Sequence, residues 1–301
     1  VTKSPPKLFD RALHRARLSR AAPLFAGADF LKRRAVDDIV ERLAGINRDF
    51  AMAIELGARN GLLSQALRQN GRPGQVGYFI QSDLSQAMLG RTGGARVVAD
   101  EENLPFLDGC ADLIVSTIAL HWANDLVGAL IQIRRALKPD GLFLGALLGG
   151  ATLHELRQAL TEADIQQTGG AGPRVSPFVD ARDAADLMRR AGFALPVVDV
   201  DRVTVRYAHP LDLLADLRAM GETNVLFERS LAPLSRSVLA RAAEIYLERF
   251  AGADGRTPAT FEIIGLTGWA PHPDQPKALK RGSATRRLEA ALAQVRGRSE
   301  G

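Results

Sequence analysis

Four groups of polar residues in the first half of the chain have the types and spacing to do chemistry together. The first is Glu55-Leu56-Gly57-Ala58-Arg59-Asn60-Gly61. Gly57 permits a sharp turn, and Gly61 permits close packing where the next element starts. An acid just before such a turn repels a pyrophosphate but suits a cation. The run is not a phosphate-cradling loop, which needs Gly-Lys-Ser/Thr, and it lacks the opening Gly-x-Gly of a nicotinamide fingerprint. The second group is Asp83-Leu84, with Asp83 standing 22 residues after Gly61, a spacing at which a carboxylate can accept from both hydroxyls of a ribose. The third is Asp100-Glu101, where a carboxylate can accept from an exocyclic amine. The fourth is Ser116-Thr117, followed closely by His121-Trp122. Any one of these acids taken alone is more often a helix cap.

The elements that must position these groups are legible in the apolar pattern. Residues 29–44 repeat apolar positions at three and four, which predicts a helix. The runs 51–56, 76–80, 95–99, 112–118 and 142–148 are short and apolar and predict buried strands. Helical patterns at 61–70, 83–89 and 125–137 alternate with them. Such alternation predicts a parallel sheet with right-handed crossovers. Ligands of such sheets lie outside the carboxyl ends of the strands, which is where the acids fall. Acids at three successive strand ends describe an adenosyl ligand with a positively charged amino-acid end, and S-adenosylmethionine has that shape. Beyond Gly150 the pattern loosens. Helices are expected at 152–165 and 181–191, extended segments at 195–200 and 203–207, and helix over 210–250 with breaks near Gly221 and Pro233. A last strand is expected at Thr260–Trp269.

On these motifs the chain resembles a class I S-adenosylmethionine-dependent methyltransferase. Further segments narrow the resemblance: Phe9-Asp10-Arg11, Leu104-Pro105-Phe106, Leu120-His121-Trp122, Leu137-Lys138-Pro139-Asp140-Gly141, Thr152-Leu153-His154-Glu155-Leu156-Arg157, Met220-Gly221-Glu222 and Arg281-Gly282-Ser283-Ala284. They are similar to the respiratory complex I assembly factor 5 family. Residues 100–160 also resemble the malonyl-acyl-carrier-protein methyltransferase of biotin synthesis. The resemblance implies an α/β, Rossmann-like doubly wound sheet of the class I methyltransferase type, with N-terminal helices and a C-terminal helical cap insertion. The expected division is N-terminal helices at 1–45, a cofactor domain at 46–209 and 258–270, a helical cap at 210–257 and a basic tail at 271–301. S-adenosyl-L-methionine is the implied cofactor, held by Glu55, Gly57, Ala58, Gly61, Asp83, Leu84, Asp100, Glu101 and Ser116. The methionine end would meet Glu55, Gly57 and Gly61, the ribose Asp83, and the adenine Asp100. Arg11, His121 and Trp122 are expected on the substrate side. The chain departs from the usual pattern at Arg59, which stands where a central glycine is usual.

The resemblance implies methyl transfer to a protein or carrier-bound acceptor, linked to complex I assembly. Hydroxylation of an arginine in a complex I subunit, or a non-catalytic assembly role, stands beside it. His121 is the candidate base for an amine or hydroxyl acceptor, and it reads equally as a buried histidine shaping the pocket with Trp122. None of the five histidines (His14, His121, His154, His209, His272) stands in a clear metal-ligand pattern, and no metal is expected.

With 301 residues, 46% hydrophobic and 24% charged, the chain has apolar material for a full core and is not disordered throughout. No apolar run approaches the ~20 residues of a bilayer span. The single Cys110 excludes an internal disulfide and fits a reducing compartment, the bacterial cytoplasm or the mitochondrial matrix. Val1 suggests a trimmed or alternatively initiated start, and residues 8–20 read as folded protein rather than a targeting peptide. Residues 1–34 hold nine Lys/Arg against Asp10 and Asp29, and residues 276–301 hold seven against Glu289 and Glu300. The body between them is acidic, which disfavours a nucleic-acid groove. The basic ends are expected to be solvated or to meet an acidic protein partner or a complex I subunit.

Overall fold

The computed structural model describes residues 7–231 and 233–276. The chain divides into two units, Val1–Pro271 and His272–Gly301, and all the described helices and strands lie in the first. Arg281-Gly282-Ser283-Ala284 and nearly all of the expected basic tail lie outside the described residues.

The order begins with α1 (Arg11–Ala21), α2 (Phe30–Ala44), β1 (Phe50–Leu56), α3 (Leu62–Asn70), β2 (Val76–Asp83) and α4 (Gln86–Leu89). It continues with β3 (Ala95–Val98), β4 (Ala111–Thr117), α5 (Leu126–Ala136), β5 (Leu137–Leu148), α6 (His154–Thr168) and α7 (Ala181–Arg190). It ends with β6 (Ala194–Tyr207), α8 (Pro210–Met220), α9 (Arg236–Phe250) and β7 (Thr257–Trp269). These strands form one seven-stranded sheet in the order β3-β2-β1-β4-β5-β7-β6. β1 to β5 run parallel, while β7 pairs antiparallel with both β5 and β6. This is the expected α/β, Rossmann-like doubly wound sheet, and its strand order reverses between β1 and β4.

β4 is buried from Leu113 to Thr117 because helices cover both faces of the sheet. On one face Ile54, Ile114 and Phe143 pack against Leu130 and Ile133 of α5 and Met188 of α7. On the other, Phe50, Leu113 and Leu144 pack against Val36 and Ile39 of α2 and Leu63 of α3. Strands buried on both sides read as continuous apolar runs, which is why the sequence shows them so plainly.

The structure differs from the sequence expectation in three places. The expected segments 195–200 and 203–207 are one strand, β6, whose register to β7 runs unbroken from Val197 to Tyr207. β7 starts at Thr257, three residues before the expected Thr260, because its first residues pair with the end of β6. Lys138-Pro139-Asp140-Gly141 lies inside the start of β5 rather than ahead of it, and Asp140 takes a left-handed φ of 62°.

β5 last pairs with β7 at Leu148–Ile263, whereas β6 and β7 continue together to Tyr207–Thr257. The β6–β7 ribbon therefore projects past the carboxyl ends of the parallel strands. On it sits a second cluster in which Leu156 and Leu160 of α6, Leu217 of α8 and Tyr246 of α9 pack with Phe261.

Candidate functional site

The turn after β1 is built from backbone angles that few side chains adopt. Gly57 has φ 72° and Gly61 φ 78°. A β-carbon on Gly57 would lie 2.3 Å from Cβ of Ala119, so only glycine fits. Arg59 shares the left-handed region at φ 54°, an uncommon position for a long side chain. Two bonds to one oxygen hold it there: its backbone N–H and its Nη1 both donate to Oδ2 of Asp83, at 2.9 and 2.8 Å. The other oxygen, Oδ1, accepts from the backbone N–H of Ser85 at 2.8 Å. Arg59 is 1% exposed and Asp83 0%. Burial alone would lower the guanidinium's affinity for its proton, but the charge of Asp83 raises it on balance.

The other strand-end acids are also paired with cations, Glu55 with Lys32 and the Asp100–Glu101 pair with Arg11. Lys32 of α2 reaches across the sheet to Glu55. Its Nζ lies 3.5 Å from Oε1 of Glu55 and donates to the carbonyls of Gly57 at 2.7 Å and Thr117 at 3.2 Å, and to Oγ1 of Thr117. Oε1 also accepts from Oγ1 of Thr117 at 3.2 Å. Burial pushes Lys32 down to about 8 and pushes the Glu55 carboxyl up, against the pull of each on the other. Arg11 of α1 spans Asp100 and Glu101: Nη2 donates to Oδ1 of Asp100 at 2.7 Å and to Glu101, and Nε to Oδ2 of Asp100 at 3.3 Å. Burial raises both carboxyls. The bonds and charge of Arg11 outweigh it at Asp100, which falls below its usual range, and do not at Glu101.

The expected cofactor residues thus line the carboxyl ends of β1 to β4. Gly57, Ala58 and Gly61 form the turn, and Ser116 is fully buried at the end of β4. Leu84 is placed differently. It packs with Leu18, Ala21 and Phe25 and gives α1 its apolar seat. Arg11, expected against substrate, is occupied by the two acids and by the carbonyl of Trp122 at 3.1 Å.

His121 and Trp122 form a 3-10 turn after β4, and both point at Glu222 just beyond α8. Oε2 of Glu222 accepts from Nε1 of Trp122 and meets Nε2 of His121, each at 2.9 Å. A carboxylate oxygen accepts from Nε2, and in the neutral ring with that bond Nδ1 holds the lone pair. Nδ1 is buried and has no partner. An imidazole oriented through one nitrogen with a free lone pair on the other can take a proton from a nearby acceptor. Phe9 meets the Trp122 ring edge-on with centroids 5.2 Å apart. His14 lies 4.8 Å from it, held well below its usual pKa by burial first and then by Arg59 and Arg11.

Three residues escaped sequence reasoning as site members. Lys32 had a signal, since it shares the inward stripe of α2 with Ala35, Val36 and Ile39. A lysine on such a stripe needs an internal anion. Glu222 lies in a quoted segment, but its pairing with His121 spans 101 residues. His14 carried no signal.

The residues fit an adenosyl cation in kind. Two buried acceptors at the switch point, Oε2 of Glu55 and Oγ of Ser116, have no partner among the described residues. Asp83, by contrast, already accepts three bonds, two from Arg59 and one from Ser85. Among the described residues no three His, Cys, Asp or Glu side chains group as metal ligands would.

Residues 54–145 match a family model described as a methyltransferase domain. Over 285 residues the chain is 40% identical to a human protein named "Arginine-hydroxylase NDUFAF5, mitochondrial", covering 92% of this chain and 81% of that one. It is 34% identical over 269 residues to a malonyl-acyl-carrier-protein O-methyltransferase of Halorhodospira halophila, covering 87% and 88%. Among solved structures it resembles an N-methyltransferase of Haemonchus contortus in complex with S-adenosylhomocysteine. The TM-score is 0.51 at 15% identity, over 86% of this chain and 60% of that one, a likeness of fold.

Proposed function

This chain belongs to the class I S-adenosylmethionine-dependent methyltransferases and, within them, to the NDUFAF5 family, and on that premise we propose that it binds S-adenosylmethionine and transfers a methyl group to a protein or carrier-bound acceptor in the setting of complex I assembly. When bound, the cofactor supplies a methyl group already made electrophilic by its sulfonium. The protein's task is then to align, desolvate and, where the acceptor needs it, accept a proton. Glu55 offers Oε2 to an ammonium, and Asp83 offers a carboxylate to ribose hydroxyls once Arg59 withdraws. The Asp100–Glu101 corner suits an adenine edge. His121, oriented by Glu222, offers Nδ1 to an acceptor proton, while Trp122 excludes water beside it.

The observation that carries this reading is the meeting of Glu55, Asp83 and the Asp100–Glu101 pair along one edge of the sheet, with acceptors at Glu55 and Ser116 still unpaired. Calorimetric titration with S-adenosylmethionine tests it. One site per chain is expected in the wild type and, more tightly, in Arg59→Gly. No uptake by either protein would overturn the reading. The compartment fits the cytoplasm of a bacterium or the mitochondrial matrix, and no helix among the described residues is long and apolar enough to cross a membrane.

A second reading, arginine hydroxylation, is favoured by the names of the relatives at 37–40% identity. Mass spectrometry of an arginine-bearing subunit peptide after incubation with S-adenosylmethionine, dioxygen and an electron donor separates the two: a gain of one oxygen marks hydroxylation, a gain of one methyl marks transfer. Uptake of the cofactor with neither gain would leave a binding role in assembly.

A further inference from the structure

A cavity of about 710 Å³ opens at the carboxyl end of β5, beside Trp122. This volume is in the range of small-molecule sites. Its apolar wall comes from Leu148, Leu156, Leu160, Leu217 and Phe261. Five arginines also line it: Arg17, Arg20, Arg174, Arg218 and Arg229. The one carboxylate in the lining is Glu222, already engaged by His121 and Trp122.

Among the described residues three of these five arginines lack a carboxylate partner. Arg174 is bound to the buried Asp164 at 2.8 Å. Arg229 is 3.7 Å from Asp10. Arg17, Arg20 and Arg218 have no carboxylate within ion-pairing distance, and Arg17 donates instead to Oγ1 of Thr223 at 2.6 Å. Burial, and then the charges of Arg229 and Arg20, press Arg17 below its ordinary proton affinity. Like charges gathered at an apolar chamber repel one another until an anion joins them.

We propose that this cavity binds an anionic amphiphile, with a carboxylate or phosphate among Arg17, Arg20, Arg218 and Arg229 and an aliphatic chain along the leucine wall. The inference deepens the methyl-transfer reading by naming the acceptor's chemical class. Binding itself is independent of that reading, and only the transfer step after it rests there. The same charges oppose entry of a guanidinium, so the chamber suits an acyl-type acceptor better than an arginine side chain.

The test is titration calorimetry of the full chain with four ten-carbon probes: decanoate, decyl phosphate, decanol and decylammonium. At least one anion should bind at one site per chain, ten times or more tighter than decanol, and decylammonium should not saturate. Decanoate ahead of decyl phosphate marks a carboxylate ligand, and the reverse order a phosphate one. The double variant Arg17→Gln/Arg20→Gln should lose about tenfold for the anions and keep its affinity for decanol. If circular dichroism shows that variant unfolded, the exposed Arg218→Gln carries the same expectation. Equal binding of decanol and both anions, unchanged anion affinity in the folded variant, or tightest binding of decylammonium would overturn the inference. S-adenosylmethionine is titrated in parallel. Anion binding without cofactor uptake leaves the inference standing and removes the methyl-transfer reading; cofactor uptake without anion binding does the reverse.

Discussion

Arg59 neutralises Asp83 and at the same time stands against the carboxylate that the ribose would use. Breaking one side of a buried ion pair leaves a bare charge at a cost of about 3–5 kcal/mol. Glycine at this position relieves the left-handed backbone but not that charge. The Arg59→Gly variant should therefore melt lower than wild type without ligand and gain more from S-adenosylmethionine, with affinity improved at least tenfold. Thermal melts with and without cofactor check both halves, and equal affinity in the two proteins would show that Arg59 is no obstacle. His121 makes the second residue-scale claim. Replacing it with alanine should lower turnover on an amine or hydroxyl acceptor by about 10²-fold with KM little changed, the loss of a general base. Unchanged kcat would reduce His121 to a pocket wall. Glu222→Ala would strand two buried donors at about 1–3 kcal/mol each. The discomfort of Arg59 is legible through the family resemblance, because a side chain stands where the family's pattern has a glycine. Its partner is not legible there, since Asp83 lies 24 residues away on another strand.

The parallel strands are readable because burial on both faces leaves no alternation to disguise them, and β4 from Leu113 to Val115 is fully buried. The β6–β7 ribbon is less legible. Its outer half alternates and ends on pairing that only the partner strand determines, so the start of β7 and the continuity of β6 are not local properties. The turn after β1 shows an element boundary set by steric exclusion. A methyl on Gly57 would strike Ala119 at 2.3 Å and would also take a φ of 72°. Strained backbone costs about 1–3 kcal/mol and overpacking a similar amount. Gly57→Ala should lower stability by about 3 kcal/mol, read as a shifted urea midpoint at unchanged slope. The 3-10 turn with His121 and Trp122 follows Ala119, so the same variant should also shift the fluorescence of Trp122 and lower turnover. A loss under about 0.5 kcal/mol would mean that the turn yields more easily than its contacts suggest.

At the scale of the whole molecule, part of the basic start of the chain serves as internal counter-ions. A charge surplus in residues 1–34 reads from sequence as a solvated or partner-binding end. Two of its nine cations turn inward: Lys32 is 3% exposed against Glu55, and Arg11 closes over Asp100 and Glu101. These two pairings of the basic start with the acidic body are invisible to any count along the chain because they span 23 and 89 residues. This arrangement has a signature in pH. Burial holds Lys32 at about 8 in the fold, against an ordinary 10.5 when exposed. Between those values the unfolded chain binds more protons than the folded one, so the Lys32 contribution to stability rises as pH climbs from about 8 to 10.5. Below about 8 the ammonium is charged in both states and its contribution no longer changes with pH. Lys32→Met removes the titration and leaves Glu55 buried without its cation, so the variant should be less stable at neutral pH by about 3–5 kcal/mol. Urea midpoints at half-unit steps from pH 7 to 10.5 measure both. The wild-type curve, less that of Lys32→Met, should climb across the upper part of that range. A difference that stays flat or falls would mean that Lys32 is not a desolvated ammonium, and the internal neutralisation of the strand-end acids would lose its central member.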